Sequence, residues 1–186
     1  MRNKTIVGLI LFNFIFCASI TAQEKKEKTD QKIELPELYL EQKLDRTVTN
    51  LAAFITSSIA YTKSMGKTAE DYGKFIGETF APSWEGAKGK GISPFIQGMY
   101  RNLQPDKNFR MEILSESKTS VEGRMNRYGE ATVKAYARTG VTIEEVDACF
   151  GKVWETIANY LGLEYKQKAE GDWIVFTITE KTLTGK

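Results

Sequence analysis

The chain has 186 residues, with 26 basic and 24 acidic side chains and no histidine. Without histidine there can be no His-based catalytic triad, no His general base and no His-ligated zinc or haem. The near balance of charge, with no basic cluster, argues against binding to nucleic acid or to anionic membrane surfaces. We therefore predict no cofactor, no metal site and no nucleic-acid partner.

The N-terminal segment has the features of a secretory signal peptide. A basic start precedes the apolar run 6–16, which is too short to cross a bilayer as a helix. Ala22 then offers a small-residue cleavage site. We predict cleavage after Ala22 in preference to lipid attachment at Cys17, because the bulky Phe16 stands directly before that cysteine.

These features divide the chain into three parts. Residues 1–22 are the predicted signal peptide, 23–33 a charged and disordered linker, and 34–182 a single globular domain without a membrane span. Loss of the signal removes two basic residues and leaves 24 of each sign. The protein is expected in the periplasm or outside the cell, and its oligomeric state is not predictable from these patterns.

The first predicted helices lie between Pro36 and residue 80. The stretch 47–62 carries no charge, and a helix without a charged face is usually buried on most sides. It could be a central core helix or line a ligand cavity. Thr68 caps the next helix, in which Gly73 and Gly77 lie four apart on one face. We expect those glycines to pack against the small residues of the preceding helix.

The middle of the chain mixes loop, helix and strand signals. Residues 81–92 are rich in glycine and predict a flexible surface loop that carries Trp84 and could close over a pocket. A short helix begins at Ser93 and Pro94. Alternating apolar and polar residues predict a strand over 109–116, and the chain returns as a second strand over 119–125. A further helix is expected over 129–138.

The C-terminal stretch 142–179 is the best-specified unit of the sequence. Thr142 and Glu145 have the spacing of a capping box, and apolar residues recur at helical spacing until Gly162. Strands are predicted over 163–168 and 173–179, joined by a turn. Together these patterns predict an α+β domain in which helices pack on one face of a small antiparallel sheet of about four strands.

Cys149 is the one cysteine of the mature chain, so no intramolecular disulfide can form. It lies at the edge of the apolar stripe of the predicted helix, beside acidic residues that disfavour a thiolate. A buried, unreactive thiol is the favoured interpretation. A catalytic role is the alternative, and without a histidine to activate the thiol the sequence favours a protein that is not an enzyme.

The order of elements over 142–179 resembles the C-terminal part of the aminothiazoline carboxylate hydrolase-like family. It is similar, more distantly, to small-molecule-binding domains of the vinyl-reductase type. The shared features are a capped helix, a Tyr-Leu-Gly-Leu exit, a strand, a Glu-Gly-Asp turn and an apolar last strand. The resemblance covers about 50 residues, 128–179, and implies this fold with a ligand-sized cavity.

The hydrolase-like family is expected to have a helix cysteine followed three residues later by an acid, and a cysteine in the last strand. Cys149 matches the helix cysteine. Lys152 stands where the acid is expected and Val175 where the strand cysteine is expected. The resemblance therefore does not imply that this chain has hydrolase activity.

Three functions follow from these patterns. The first is an exported domain that binds a small apolar or amphipathic molecule, with an apolar pocket between the helix 47–62, the loop around Trp84 and the start of the last strand. Tyr61, Trp84, Tyr100 and Trp173 are the candidate lining residues. The alternatives are a histidine-free hydrolase that uses Cys149, and a structural or interaction domain.

Overall fold

The computed structural model describes residues 36–127, 133, 134 and 136–181. The predicted signal peptide, its cleavage site, the linker 23–33 and most of the predicted helix 129–138 lie outside the described residues. From Leu38 onward the described residues form one compact unit.

Four α-helices and four β-strands make up this unit, together with two short 3-10 helices. The α-helices are α1 (Leu40–Ser64), α2 (Ala69–Phe80), α3 (Ile92–Leu103) and α4 (Ile143–Leu161). The strands are β1 (Met111–Glu116), β2 (Ser120–Asn126), β3 (Leu163–Glu170) and β4 (Trp173–Glu180), and the 3-10 helices are Ala81–Ala87 and Ala137–Thr139. The predicted α+β fold class is confirmed.

The sheet consists of two hairpins that lie side by side. Its strand order is β1-β2-β4-β3, and every neighbouring pair is antiparallel. Alternate residues of β4, Ile174, Phe176 and Ile178, are buried. They share one core with Phe95 of α3 and with the inner face of α4. The helices therefore cover this face of the sheet.

Both predicted helix caps are present, and each forms a capping box. The hydroxyl of Thr142 accepts a hydrogen bond from the backbone N–H of Glu145 at 3.3 Å, and the Glu145 carboxylate accepts from the backbone N–H of Thr142 at 2.8 Å. Thr68 and Asp71 form the same reciprocal pair at the start of α2. Each box satisfies backbone donors that a helix leaves without internal partners.

The glycines of α2 bring two helix backbones into direct contact. A Cβ atom at Gly73 would lie 2.1 Å from the backbone carbonyl oxygen of Cys149, and one at Gly77 would lie 2.6 Å from Cβ of Thr156. The partner of this bare face is thus α4, and the expectation that it packs against the preceding helix is wrong. Helix α2 lies mainly against α4, which covers the sheet, and touches α1 over a much smaller area.

Helix α1 also departs from expectation, because it is not buried on most sides. One face is buried through Ala52, Thr56, Ile59 and Thr62, three of which are small. A stripe of large apolar side chains on another face remains between 44% and 83% exposed: Leu40, Leu44, Leu51, Phe54, Tyr61 and, just after the helix, Met65. Small residues permit a closer approach than large ones, so the helix packs mainly through them, with Ile59 among them, and leaves the bulky stripe outside. None of the helices that the structure describes is both long and apolar enough to cross a membrane.

Candidate functional site

A groove of about 570 Å³ opens between the helices on the side away from the sheet. Three residues of α1, three of α2 and five of α4 line it, with two each from α3 and the first 3-10 helix. They are Leu51, Phe54, Ile55, Tyr72, Ile76, Phe80, Ser83, Trp84, Asn102, Leu103, Cys149, Phe150, Val153, Trp154 and Ile157. None of these fifteen described residues is charged, and the volume is that of a small-molecule pocket.

The floor of the groove comes from α4, where Cys149, Val153, Trp154 and Ile157 are at most 8% exposed. The rim comes from α1, whose Phe54 remains 72% exposed. The groove is therefore rigid where α4 rests on the sheet and open along the exposed stripe of α1. An apolar molecule placed there would cover side chains that are otherwise in water, which is favourable.

Trp84 reaches the groove from a segment that is ordered rather than looped. Residues Ala81–Ala87 form a 3-10 helix, so the expectation of an unstructured segment over 81–92 is wrong for its first half. The ring of Trp84 lies over Gly98, where a Cβ would come within 2.2 Å of it. It also packs 5.7 Å from the ring of Phe95 and 6.3 Å, edge to face, from that of Trp154. Such aromatic pairs fix ring positions.

A polar contact holds the same 3-10 helix against α4. The hydroxyl of Tyr160 donates a hydrogen bond to the carboxylate of Glu85, and this bond raises the pKa of Tyr160 above its usual value. The ammonium group of Lys88 lies 4.3 Å from the centre of the Tyr160 ring. The segment 81–88 is therefore fixed against the core by the ring of Trp84 and against α4 by the contacts of Glu85 and Lys88 with Tyr160.

Of the four predicted lining residues, the structure places only Trp84 in the groove. Tyr61 lies on the exposed stripe of α1 and is 67% exposed. Tyr100 is on α3, with its ring 5.9 Å from that of Phe109. Trp173 begins β4 on the outer face of the sheet, under the guanidinium of Arg124 at 4.4 Å. The last strand is not a wall of the groove, because its buried residues point into the core instead.

Sequence reasoning missed Trp154, which lines the groove and is 5% exposed. The available signal was its position directly after Val153, at the edge of the apolar stripe of α4. A tryptophan at such an edge buries its ring, and with the ring an indole N–H that normally needs a hydrogen-bond acceptor.

Cys149 contributes an inert thiol to the groove floor. It is 2% exposed, and burial, with a smaller contribution from the negative charge of Glu70, raises the pKa of the Cys149 thiol to about 12. A reactive cysteine needs the opposite environment, electropositive and partly exposed. The described residues also contain no group of three His, Cys, Asp or Glu side chains that could hold a metal ion.

A second, larger groove of about 800 Å³ lies between α4 and β3. Most of its charged side chains take part in ion pairs, with each other or with residues just outside the groove. Lys152 contacts Glu155 at 3.0 Å, and Lys166 contacts Glu164 at 2.8 Å. Asp147 pairs with Arg127, whose Nε lies 2.9 Å from its carboxylate. Because these ion pairs already neutralise one another, the apolar groove is the better candidate for a ligand site.

Comparison with protein families, with curated proteins and with solved structures found no match to this chain.

Proposed function

We propose that this protein binds a small apolar molecule in the groove between α1, α2 and α4. The observation that supports this most directly is the lining: fifteen residues, six of them aromatic and none charged, around about 570 Å³. Monomeric proteins seldom leave such a concave apolar surface open unless something occupies it.

The open side of the groove supports a ligand rather than a packing defect. Leu51 and Phe54 lie at its rim and are 51% and 72% exposed. Burying apolar surface is worth about 25 cal/mol per Å², so a ligand that covers both side chains gains affinity from each. The floor beneath it is already formed by buried residues of α4, and such a preformed surface lowers the cost of binding.

Export is part of the same proposal. Its support is the N-terminal pattern of a basic start, an apolar run and a small residue at Ala22. We propose that the mature protein carries out this binding in the periplasm or outside the cell.

Binding is tested by titrating the protein with butylbenzene and butyrophenone and following its amide resonances by NMR. We expect saturable shifts at the groove residues of α1 and α4. Leu51→Ser should weaken binding, because Leu51 lines the groove. Leu44→Ser is the matched control: this leucine is exposed to a similar degree on the same helix, outside the groove. Equal effects of the two variants, or no saturable binding of either probe, would contradict the proposal.

A second candidate function, self-association through α1, is favoured by the spacing of its exposed stripe. Leu40, Leu44, Leu51, Phe54, Tyr61 and Met65 fall on an alternating four-three spacing, which Thr47 and Ser58 complete. This is the spacing with which one helix packs along another, so the stripe could pair with that of a second copy. Sedimentation of the wild type and of Leu44→Glu distinguishes the two functions, since loss of a dimer in the variant would favour self-association.

The hydrolase alternative has less support. Cys149 is buried with a raised pKa, and the chain contains no histidine to take its proton. Its place in the groove is better explained as part of an apolar floor.

A further inference from the structure

We propose that the ligand of the groove carries a neutral hydrogen-bond acceptor, of the ketone, ester or amide carbonyl class, which accepts from the indole N–H of Trp154. This inference rests on the proposed function and adds the chemical class of the ligand to it.

The proposal is based on a hydrogen-bond donor that has no partner, the indole N–H of Trp154. The indole nitrogen of Trp154 is fully buried, and among the described residues it is the one such side-chain polar atom without a hydrogen-bond partner. A buried donor without an acceptor is costly, because it has given up its hydrogen bond to water. Buried tryptophans therefore usually satisfy this group, and an unsatisfied donor in a groove-lining residue favours a ligand that brings an acceptor. The nitrogen has almost no surface open to the empty groove, so the acceptor reaches it by a small shift of the ring as the ligand enters.

The protein groups around the groove do not supply that acceptor. The Trp154 ring packs edge to face against Trp84 and Phe95, which are aromatic. The hydroxyl of Ser83 donates to the backbone carbonyl of Phe80 at 2.7 Å, and no described side chain or backbone group accepts from the Trp154 N–H. Asn102 lies exposed at the rim. The acceptor for Trp154 is thus left to a molecule that enters the groove.

The charge of the lining determines what kind of acceptor fits. A carboxylate that enters the groove loses water and meets no cation among the fifteen lining residues. Burial of an unpaired charge is far more costly than burial of a neutral carbonyl. A fatty-acid anion is therefore a poorer ligand here than a ketone or ester of the same size.

The test uses three probes with the same number of carbons: butyrophenone, butylbenzene and phenylbutanoate. The chain has three tryptophans, so the indole N–H region of an NMR spectrum contains few signals, and Trp154→Phe identifies that of Trp154. In the wild type we expect butyrophenone to move the Trp154 indole proton downfield and butylbenzene to bind without doing so. Phenylbutanoate should bind at least about tenfold more weakly than butyrophenone.

Trp154→Phe keeps an aromatic ring and removes the donor. We expect it to weaken butyrophenone binding about tenfold, equivalent to ~1.4 kcal/mol, and to change butylbenzene binding less than about twofold. Trp173→Phe, on the outer face of the sheet, is the matched control and should change neither. If Trp154→Phe does not fold, the inference is tested by the shift of the Trp154 indole proton when butyrophenone is added to the wild type.

The two proposals fail in different ways. If both neutral probes bind but the Trp154 indole proton does not respond to butyrophenone, or if Trp154→Phe weakens both probes equally, the acceptor inference is overturned and the apolar groove stands. Tighter binding of phenylbutanoate than of butyrophenone would also overturn it. If no probe binds, the proposed function itself falls, and the acceptor inference with it.

Discussion

The contact between α2 and α4 predicts that Gly73→Ala destabilises the protein, although alanine is the better helix former. A Cβ at this position would stand 2.1 Å from the carbonyl oxygen of Cys149. That oxygen belongs to the backbone of another helix, so no side-chain rotation relieves the clash. One helix has to shift by about an ångström, and overpacking of this kind costs roughly 1–3 kcal/mol or more.

The higher helix propensity of alanine opposes this overpacking cost, and its contribution is smaller. Replacing glycine by alanine in a helix interior gains at most about 1 kcal/mol. Because the clash is between backbones, we place the overpacking cost at the upper end of its range, which leaves a net loss of about 2 kcal/mol. For a domain of this size each kcal/mol lowers the melting temperature by about 2–4 °C. The expected fall is therefore about 4–8 °C.

Thermal and urea unfolding, followed by circular dichroism, measure this change. Gly86→Ala is the matched control, because a Cβ there would meet nothing within 4 Å, and it should change stability by less than about 0.5 kcal/mol. A Gly73→Ala protein as stable as the wild type, or stabilised by the full gain in helix propensity, would refute the backbone contact.

Three further predictions concern the groove and the N-terminus. Cys149 should react with thiol reagents at neutral pH only as fast as the protein unfolds. Fast labelling of the native protein would contradict this. Because burial raises the pKa of this thiol from 9.0 to about 12, the unfolded chain ionises first, and the free energy of unfolding should fall as the pH rises from 9 to 12. Gly98→Ala should displace the ring of Trp84, seen as a shift of tryptophan fluorescence and weaker binding of butylbenzene. N-terminal sequencing of protein from the cell envelope should begin at Gln23, and an intact Met1 or a lipidated Cys17 would exclude this cleavage.

The elements that the sequence predicted correctly are those specified by local chemistry. The capping boxes at Thr68 and Thr142 depend on residues three apart. The hairpin at Gly171 depends on alternation on either side of a turn. Both strands of this hairpin begin where expected and run slightly further, to Glu170 and Glu180. Such signals are complete within a few residues, so one sequence suffices to read them.

The features that the sequence did not predict depend on contacts distant along the chain. The bare face of Gly73 shows that something comes close, but not which helix does. The charge-free part of α1 has two apolar faces, and only packing decides that Ala52 is buried while Phe54 is exposed. Trp84 joined the groove as expected, whereas Trp173 did not, because the register of β4 turns it to the outer face.

The arrangement of the two hairpins has a consequence for how the chain folds. Each hairpin closes over a short turn, so β1–β2 and β3–β4 can form early and independently. The central ladder is different: it joins Asn126 to Trp173, 47 residues apart, and Ser120 to Thr179, 59 apart. Loop closure over that distance costs entropy before any contact repays it. The rate-limiting step is therefore expected to be the docking of the two hairpins, with α4 carried into place by the same event because it leads directly into β3.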